Sequence, residues 1–205
     1  MAKINVAPTR SNLIRIKKEL RFAREGYEIL DRKREVLTTE LVRVAKEADL
    51  VQKEVWKLLE TAYAAMEKAR LVMGSDHVEW AALAANKTVD VHLKLRGIMG
   101  VAIPSIEAVG EPQRLPYSPG DTAAALDEAS DSFREVLIKV PQLSMLTTTV
   151  WRLAGELRKT QRRVNALQHI FIPQYEETVE FIISSLEERE REETFRLKLL
   201  KTKIG

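Results

Sequence analysis

The sequence predicts a mainly α protein, in which long N- and C-terminal helices form an antiparallel two-helix coiled coil. A small head of short helices and a β-hairpin is expected in the middle of the chain. Two apolar seams at coiled-coil spacing carry that prediction, together with a change of pattern between them.

The first seam steps by threes and fours through Leu13, Ile16, Leu20, Ala23, Tyr27, Leu30, Arg34, Leu37, Leu41, Val44, Ala48, Val51, Val55, Leu58, Ala62, Ala65, Ala69 and Val72. Arg34 alone in that series is not apolar. No proline falls between Pro8 and Pro104, and Gly26 is the only glycine before Gly74, so nothing interrupts the helix. At 1.5 Å per residue such a helix is ~90 Å long, well beyond a compact domain of this mass.

The second seam is expected after Pro141: Leu143, Leu146, Val150, Leu153, Leu157, Thr160, Val164, Leu167 and Phe171. Pro173 predicts a kink rather than an end, because helix formers continue to Ile204. Beyond it Thr178, Phe181, Ser185, Glu188, Glu192, Phe195 and Leu199 keep the phase with mixed chemistry. Zipping with Val72 opposite Leu143 would bring Leu30 near Ser185. It would also lay a basic stretch, residues 1–46 with twelve basic and six acidic side chains, along residues 174–194 with eight acidic and two basic ones. That opposition favours the antiparallel pairing.

Between the seams the pattern changes. Met73-Gly74 reads as a helix stop, and Asp76 with Glu79 as a capping box opening a short helix through Trp80 and Leu83. From Thr88, Val89, Val91, Leu93 and Leu95 alternate with Asp90, His92, Lys94 and Arg96, which predicts a strand with one wet face. Gly97–Gly100 is the expected turn, and Val101–Ile106 the second strand, edged by Pro104. Residues 111–120 read as an irregular loop. Asp121 is expected to cap a helix through Ala125, Ala129, Phe133 and Leu137 that stops at Pro141. Within one unit spanning 1–205, the boundaries are therefore 9–73 for the first coiled-coil helix, 74–140 for the head and 141–204 for the second helix. Trp56, Trp80 and Trp151 are expected as packing residues near the head.

Composition narrows the function. Cysteine is absent, which excludes disulfides and thiolate metal sites. No apolar stretch approaches a membrane span, and the N-terminus lacks the apolar core of a signal peptide, so no direct membrane insertion is expected. The net charge of +3 is too small and too dispersed for a nucleic-acid surface. Lys87-Thr88 follows Ala84-Ala85-Asn86 rather than clustered glycines, so no phosphate-cradling loop is present. His77, His92 and His169 have no paired spacing, and neither a metal nor a cofactor is expected. The acidic run Glu187–Glu193 reads as a solvated or partner-facing helical face. Arg34 leaves two readings open: its stem packs while the guanidinium reaches a rim carboxylate, or it meets the polar group Thr178, Ser185 and Glu188 across the seam as a register lock.

Several segments carry a family resemblance. Pro8-Thr9-Arg10, Asn12-Leu13 and the stretch from Gly26 to Leu37 resemble the start of the D subunit of the V-type and archaeal A-type rotary ATPases. Ile98-Met99-Gly100-Val101 with Pro104 is a second match. Gln161-Arg162-Arg163-Val164-Asn165-Ala166-Leu167, Ile172-Pro173, Leu186-Glu187-Glu188-Arg189-Glu190 and Phe195-Arg196-Leu197-Lys198 form the third. The resemblance implies a non-catalytic central rotor stalk, peripheral on the cytoplasmic side of a membrane-bound complex. Its implied partners are the catalytic ring of A and B subunits, the small F subunit and the funnel-shaped rotor base. Arg10, Arg15, Lys17, Lys18, Arg162 and Arg163 become candidate ring contacts, and Ile98, Met99, Gly100 and Val101 a candidate partner or regulatory surface. A self-contained coiled-coil scaffold is the alternative, which explains the seams but not the motifs.

Overall fold

A computed structural model describes residues 4–84, 90–109 and 122–204 of the chain. Helix α1 runs unbroken over Arg10–Met73, followed by the short α2, Ser75–Ala84. Strands β1 (Val91–Ile98) and β2 (Val101–Val109) form an antiparallel pair. Helix α3 (Ala124–Ala166) passes through a π-helical turn, Leu167–Phe171, into α4, Ile172–Ile204. The expected fold class is the one observed, with two corrections to the helices. The chain divides into a terminal unit, Met1–Val36 with Leu157–Gly205, and a hairpin unit, Leu37–Glu156.

Local chemistry explains the ends of α1. Thr9 caps its start, accepting the Asn12 backbone N–H at 3.3 Å, while the Asn12 side chain reaches back to the Ala7 carbonyl at 2.8 Å. Gly74, with φ of 85°, takes the left-handed conformation that closes the helix, and its N–H bonds the Arg70 carbonyl. Helix α2 then starts at Ser75, placing Asp76 inside its first turn rather than at the cap.

In the hairpin unit the buried line of α1 is Leu37, Val44, Val51, Val55, Ala62 and Ala69, all members of the expected seam. Its partner is the first part of α3, through Leu126, Ala129, Val136, Leu146 and Leu153. Ala69 packs with Leu126 and Val78, Tyr63 meets Phe133 edge-on at 5.5 Å, and Lys68 pairs with Glu128 at 2.8 Å. The register read from the sequence is therefore corrected. Val72 lies near the start of α3, not opposite Leu143, because Pro141 does not end a helix. It sits inside α3, where it removes one backbone donor yet leaves the flanking apolar contacts in place.

The second correction concerns the seam phase beyond Pro173, through which the helix continues to Ile204 as expected. The Ile172 N–H bonds the Leu167 carbonyl, five residues back, so the π turn holds one more residue than an α-helical turn. That extra residue advances the seam by one position. The terminal core is built from Val179 and Ile182 with Tyr175, Ile183 and Leu186, packed on Ile16 and Leu13 of α1. Phe181 and Phe171, expected in the seam, face outward.

The hairpin closes on Met99 and Gly100, whose φ angles of 48° and 80° are the pair a two-residue type I′ turn requires. The turn is thus tighter than the expected Gly97–Gly100, since Gly97 and Ile98 pair with Ala102 and Val101. Arg96 opposite Ile103 and Ile98 opposite Val101 share one face, and Val101 and Ile103 are buried. Leu93 and Leu95 share the other face with Ile106 and Pro104, and are 61% and 71% exposed, so the face expected to be dry is wet. Thr88, Val89, Asp121 and the 111–120 loop lie outside the described residues.

Candidate interaction surfaces

The six basic residues singled out as ring contacts all belong to the terminal unit. Arg10 opens α1 and pairs with Glu190 at 2.6 Å. Lys17 follows it by two turns on the same side, whereas Arg15 and Lys18 lie one turn apart on another face. Lys18 places its Nζ 5.6 Å from the Phe22 ring centroid. Arg162 and Arg163 project outward from α3 just before the π turn. Arg24 pairs with Glu176 at 2.6 Å, which marks the antiparallel register of this unit and bears out the opposition of basic and acidic stretches.

The structure does not bring Arg34 and Glu188 together. Relative to the Arg24–Glu176 pair, Arg34 lies along α1 in one direction and Glu188 along α4 in the other. At 1.5 Å per residue that separates them by roughly 30 Å. Arg34 instead pairs with Asp31 at 2.6 Å, and Glu188 with Arg191 at 2.7 Å. The first reading of Arg34, a packed stem with its charge on a nearby carboxylate, is the one the geometry matches. Asp31 Oδ1 is buried and held by this ion pair rather than by an aligned hydrogen bond.

Helix α4 outruns its partner. Because α1 starts at Arg10 beside Glu190, residues 191–201 continue with no described segment packed on them, and every residue from Glu187 to Lys201 is exposed. Phe195, Leu197, Leu199 and Leu200 lie among them. A single helical end carrying four large apolar side chains is marginal in water without a covering surface. A shallow trough of about 510 Å³, lined by Glu187, Glu190, Arg191, Thr194, Phe195 and Lys198, runs along the same helix.

In the hairpin unit, Ile98, Met99, Gly100 and Val101 form the tip, with Met99 exposed and Val101 buried. Leu93 and Pro104 line an apolar groove of about 410 Å³ against Pro141, Met145 and Arg152 of α3. Arg152 closes the groove by donating to the Ala102 carbonyl at 2.7 Å. The three tryptophans, expected as packing residues, are instead on the surface: Trp56, Trp80 and Trp151 are 63%, 74% and 75% exposed. The seams exclude Trp56 and Trp151 because each follows a seam residue, Val55 and Val150, instead of occupying its position. Exposed tryptophan is a recurrent feature of protein–protein contact surfaces.

One surface ion pair has a shifted ionisation. Arg43 hydrogen-bonds Glu40 at 2.9 Å and holds its carboxyl below the usual range, assisted by the charges of Arg43 and Arg96. Among the described residues no group of His, Asp or Glu converges to hold a metal ion, and no helix is long and apolar enough to cross a membrane.

Comparison with known proteins agrees with the resemblance carried by the motifs. The family model for the ATP synthase D subunit matches residues 12–202. The chain is 42% identical to the V-type ATP synthase D subunit of Thermotoga neapolitana, covering 98% of this chain and all of that protein. It is 40% identical to the D subunit designated 2 of the V-type ATP synthase of Treponema pallidum, over 98% and 96% of the two chains. With the A-type ATP synthase D subunit of Methanopyrus kandleri it shares 36% identity, over 98% and 87%. The chain belongs to the D-subunit family of V-type and A-type ATP synthases.

Proposed function

We propose that this chain is the central rotor stalk of its ATP synthase complex, carrying torque between a catalytic ring of alternating A and B subunits and an ion-translocating membrane rotor. It catalyses nothing itself. The terminal unit engages the ring, and the hairpin unit serves the F subunit and the funnel-shaped rotor base. On this reading the protein sits peripherally on the cytoplasmic side of the membrane.

The observation that carries the reading is the bare end of α4. Its exposed Phe195, Leu197, Leu199 and Leu200 lack any covering segment among the described residues, as a shaft end surrounded by other subunits requires. The exposed tryptophans of the hairpin unit support a second covered surface. A long helix pair with unlike faces presents a different surface to each catalytic pair around it. Turning it shifts each pair toward a different conformation, which is the physical content of rotary coupling.

Truncation after Leu186 in the assembled complex tests the proposal. Ring binding and coupled ATPase activity should fall, while the F subunit still binds and still shifts the tryptophan emission to the blue. Full coupling by the truncated chain would contradict it.

A further inference from the structure

The segment ahead of α1 is not a loose tail. The Ile4 N–H donates to Thr178 Oγ1 at 3.1 Å, and the Thr178 hydroxyl donates to the Gln174 carbonyl at 2.6 Å. Four residues further on, Arg189 donates to the Pro8 carbonyl at 3.1 Å, and Arg10 then pairs with Glu190. From 4 to 8 the chain therefore runs alongside α4 from Thr178 toward Arg189. At Thr9 it reverses into α1, which packs back along α4 through Leu13 and Ile16.

Thr178 is the pivot. It is fully buried in a seam whose other members, Val179 and Ile182, are apolar. A hydroxyl has one donor and room for two acceptor contacts. Here the donor is used within α4, and the acceptor is used by a backbone group 174 residues away. A heptad seam alone tolerates a slip of one repeat, because apolar residues recur at the same spacing. A polar group that finds its partner in only one alignment removes that freedom.

We propose that the strap of residues 4–9, pinned through Ile4 to Thr178, is a register clasp that fixes α4 axially against α1 in the terminal unit. It takes the role that the sequence offered to Arg34 and Glu188. Nothing in these contacts depends on the rotor reading, so the clasp stands or falls separately from it.

The test uses the full chain with spin labels at the exposed positions Arg21 and Glu180, together with amide exchange at Ile4. The wild type should show a protected Ile4 amide and one narrow label distance. Thr178→Ser keeps the hydroxyl and should preserve both. Thr178→Val should lower Ile4 protection about five- to tenfold, the scale of one lost hydrogen bond. It should also add a second, longer distance population, since an axial slip of one heptad, roughly 10 Å, carries two labels that start side by side away from each other. Ile4→Pro removes the donor without touching the seam and should give the same second population, whereas Ile4→Ala keeps the N–H and should not. An unprotected Ile4 amide in the wild type would overturn the clasp. So would a single unchanged distance in both Thr178→Val and Ile4→Pro, or identical behaviour of Ile4→Pro and Ile4→Ala.

Discussion

The two units solve the same packing problem with different chemistry. In the hairpin unit, α1 and α3 meet along a continuous apolar line from Leu37 to Ala69 and from Leu126 to Leu153, with Thr149 the buried polar member. Its hydroxyl is satisfied within the helix, by the Met145 carbonyl. Both units carry ion pairs between their helices, Lys68 with Glu128 and Lys139 with Glu54 in the hairpin unit and Arg24 with Glu176 and Arg10 with Glu190 in the terminal unit. In the terminal unit the buried apolar residues are fewer, and the hydrogen bond from Ile4 to Thr178 adds a buried polar contact between segments. Apolar burial supplies most of the stabilisation but little directional information. Hydrogen bonds and ion pairs supply less free energy and more alignment. The hairpin unit is accordingly held mainly by its core, and the terminal unit is aligned by its polar contacts.

The comparison is broken most severely by a charge in either core. Leu153→Asp in the hairpin unit and Ile182→Asp in the terminal unit each place a carboxylate where the side chain is fully buried. Each should cost about 3–5 kcal/mol or more, read as a fall in melting temperature by circular dichroism. Tryptophan emission separates them, since all three tryptophans belong to the hairpin unit: it should change with Leu153→Asp and stay nearly constant with Ile182→Asp.

A deletion gives an effect of opposite size at two sites. Removing the exposed Ile170 from the π turn, with Pro173→Ala to suit a regular helix, restores α spacing and keeps Val179 and Ile182 in the seam. The loss should be under about 1.5 kcal/mol. Removing Arg162, also exposed, from regular helix turns every later side chain by about 100° and should unfold the terminal unit. Equal tolerance of the two deletions would refute the phase shift.

The smallest effects come from surface charge. Arg24→Glu should cost at most about 1 kcal/mol, and the loss should fade with added salt. Glu40 tests the pH side. Its folded pKa is lowered by Arg43, so its contribution is present above the unfolded carboxylate pKa and is lost as pH falls through the lower folded value. Glu40→Gln should remove that slight acid dependence, measured by denaturant titration across pH 3–6.

Much of this molecule is written in its seams. The α1 heptads named every buried residue of that helix, since each of Ile16, Ala23, Leu37, Val44, Val51, Val55, Ala62 and Ala69 is a seam position. The prolines were less legible. Pro141 reads locally as a stop because it lacks a donor, but Leu137 to Leu146 keep the helix bound to α1 across it. Pro173 signals a disturbance without stating its form. The sign of the π turn was the mixed chemistry of Phe181, Ser185 and Glu188, beside an apolar set one residue out of phase at Tyr175, Val179, Ile182 and Leu186. The strap had no signal, since Ile4 and Thr178 are joined only by the fold. Surface candidates such as Arg162 and Met99 came from motif resemblance, and their exposure follows from the helix and turn that hold them.

If this chain is the rotor proposed above, ATP-driven rotation measures it directly. In a reconstituted complex with the catalytic ring fixed to a surface, a bead attached to the hairpin unit should rotate in one direction while ATP is hydrolysed, and stop when ATP is withdrawn. A bead that stays stationary relative to the ring while ATP turns over at its full rate would contradict the account.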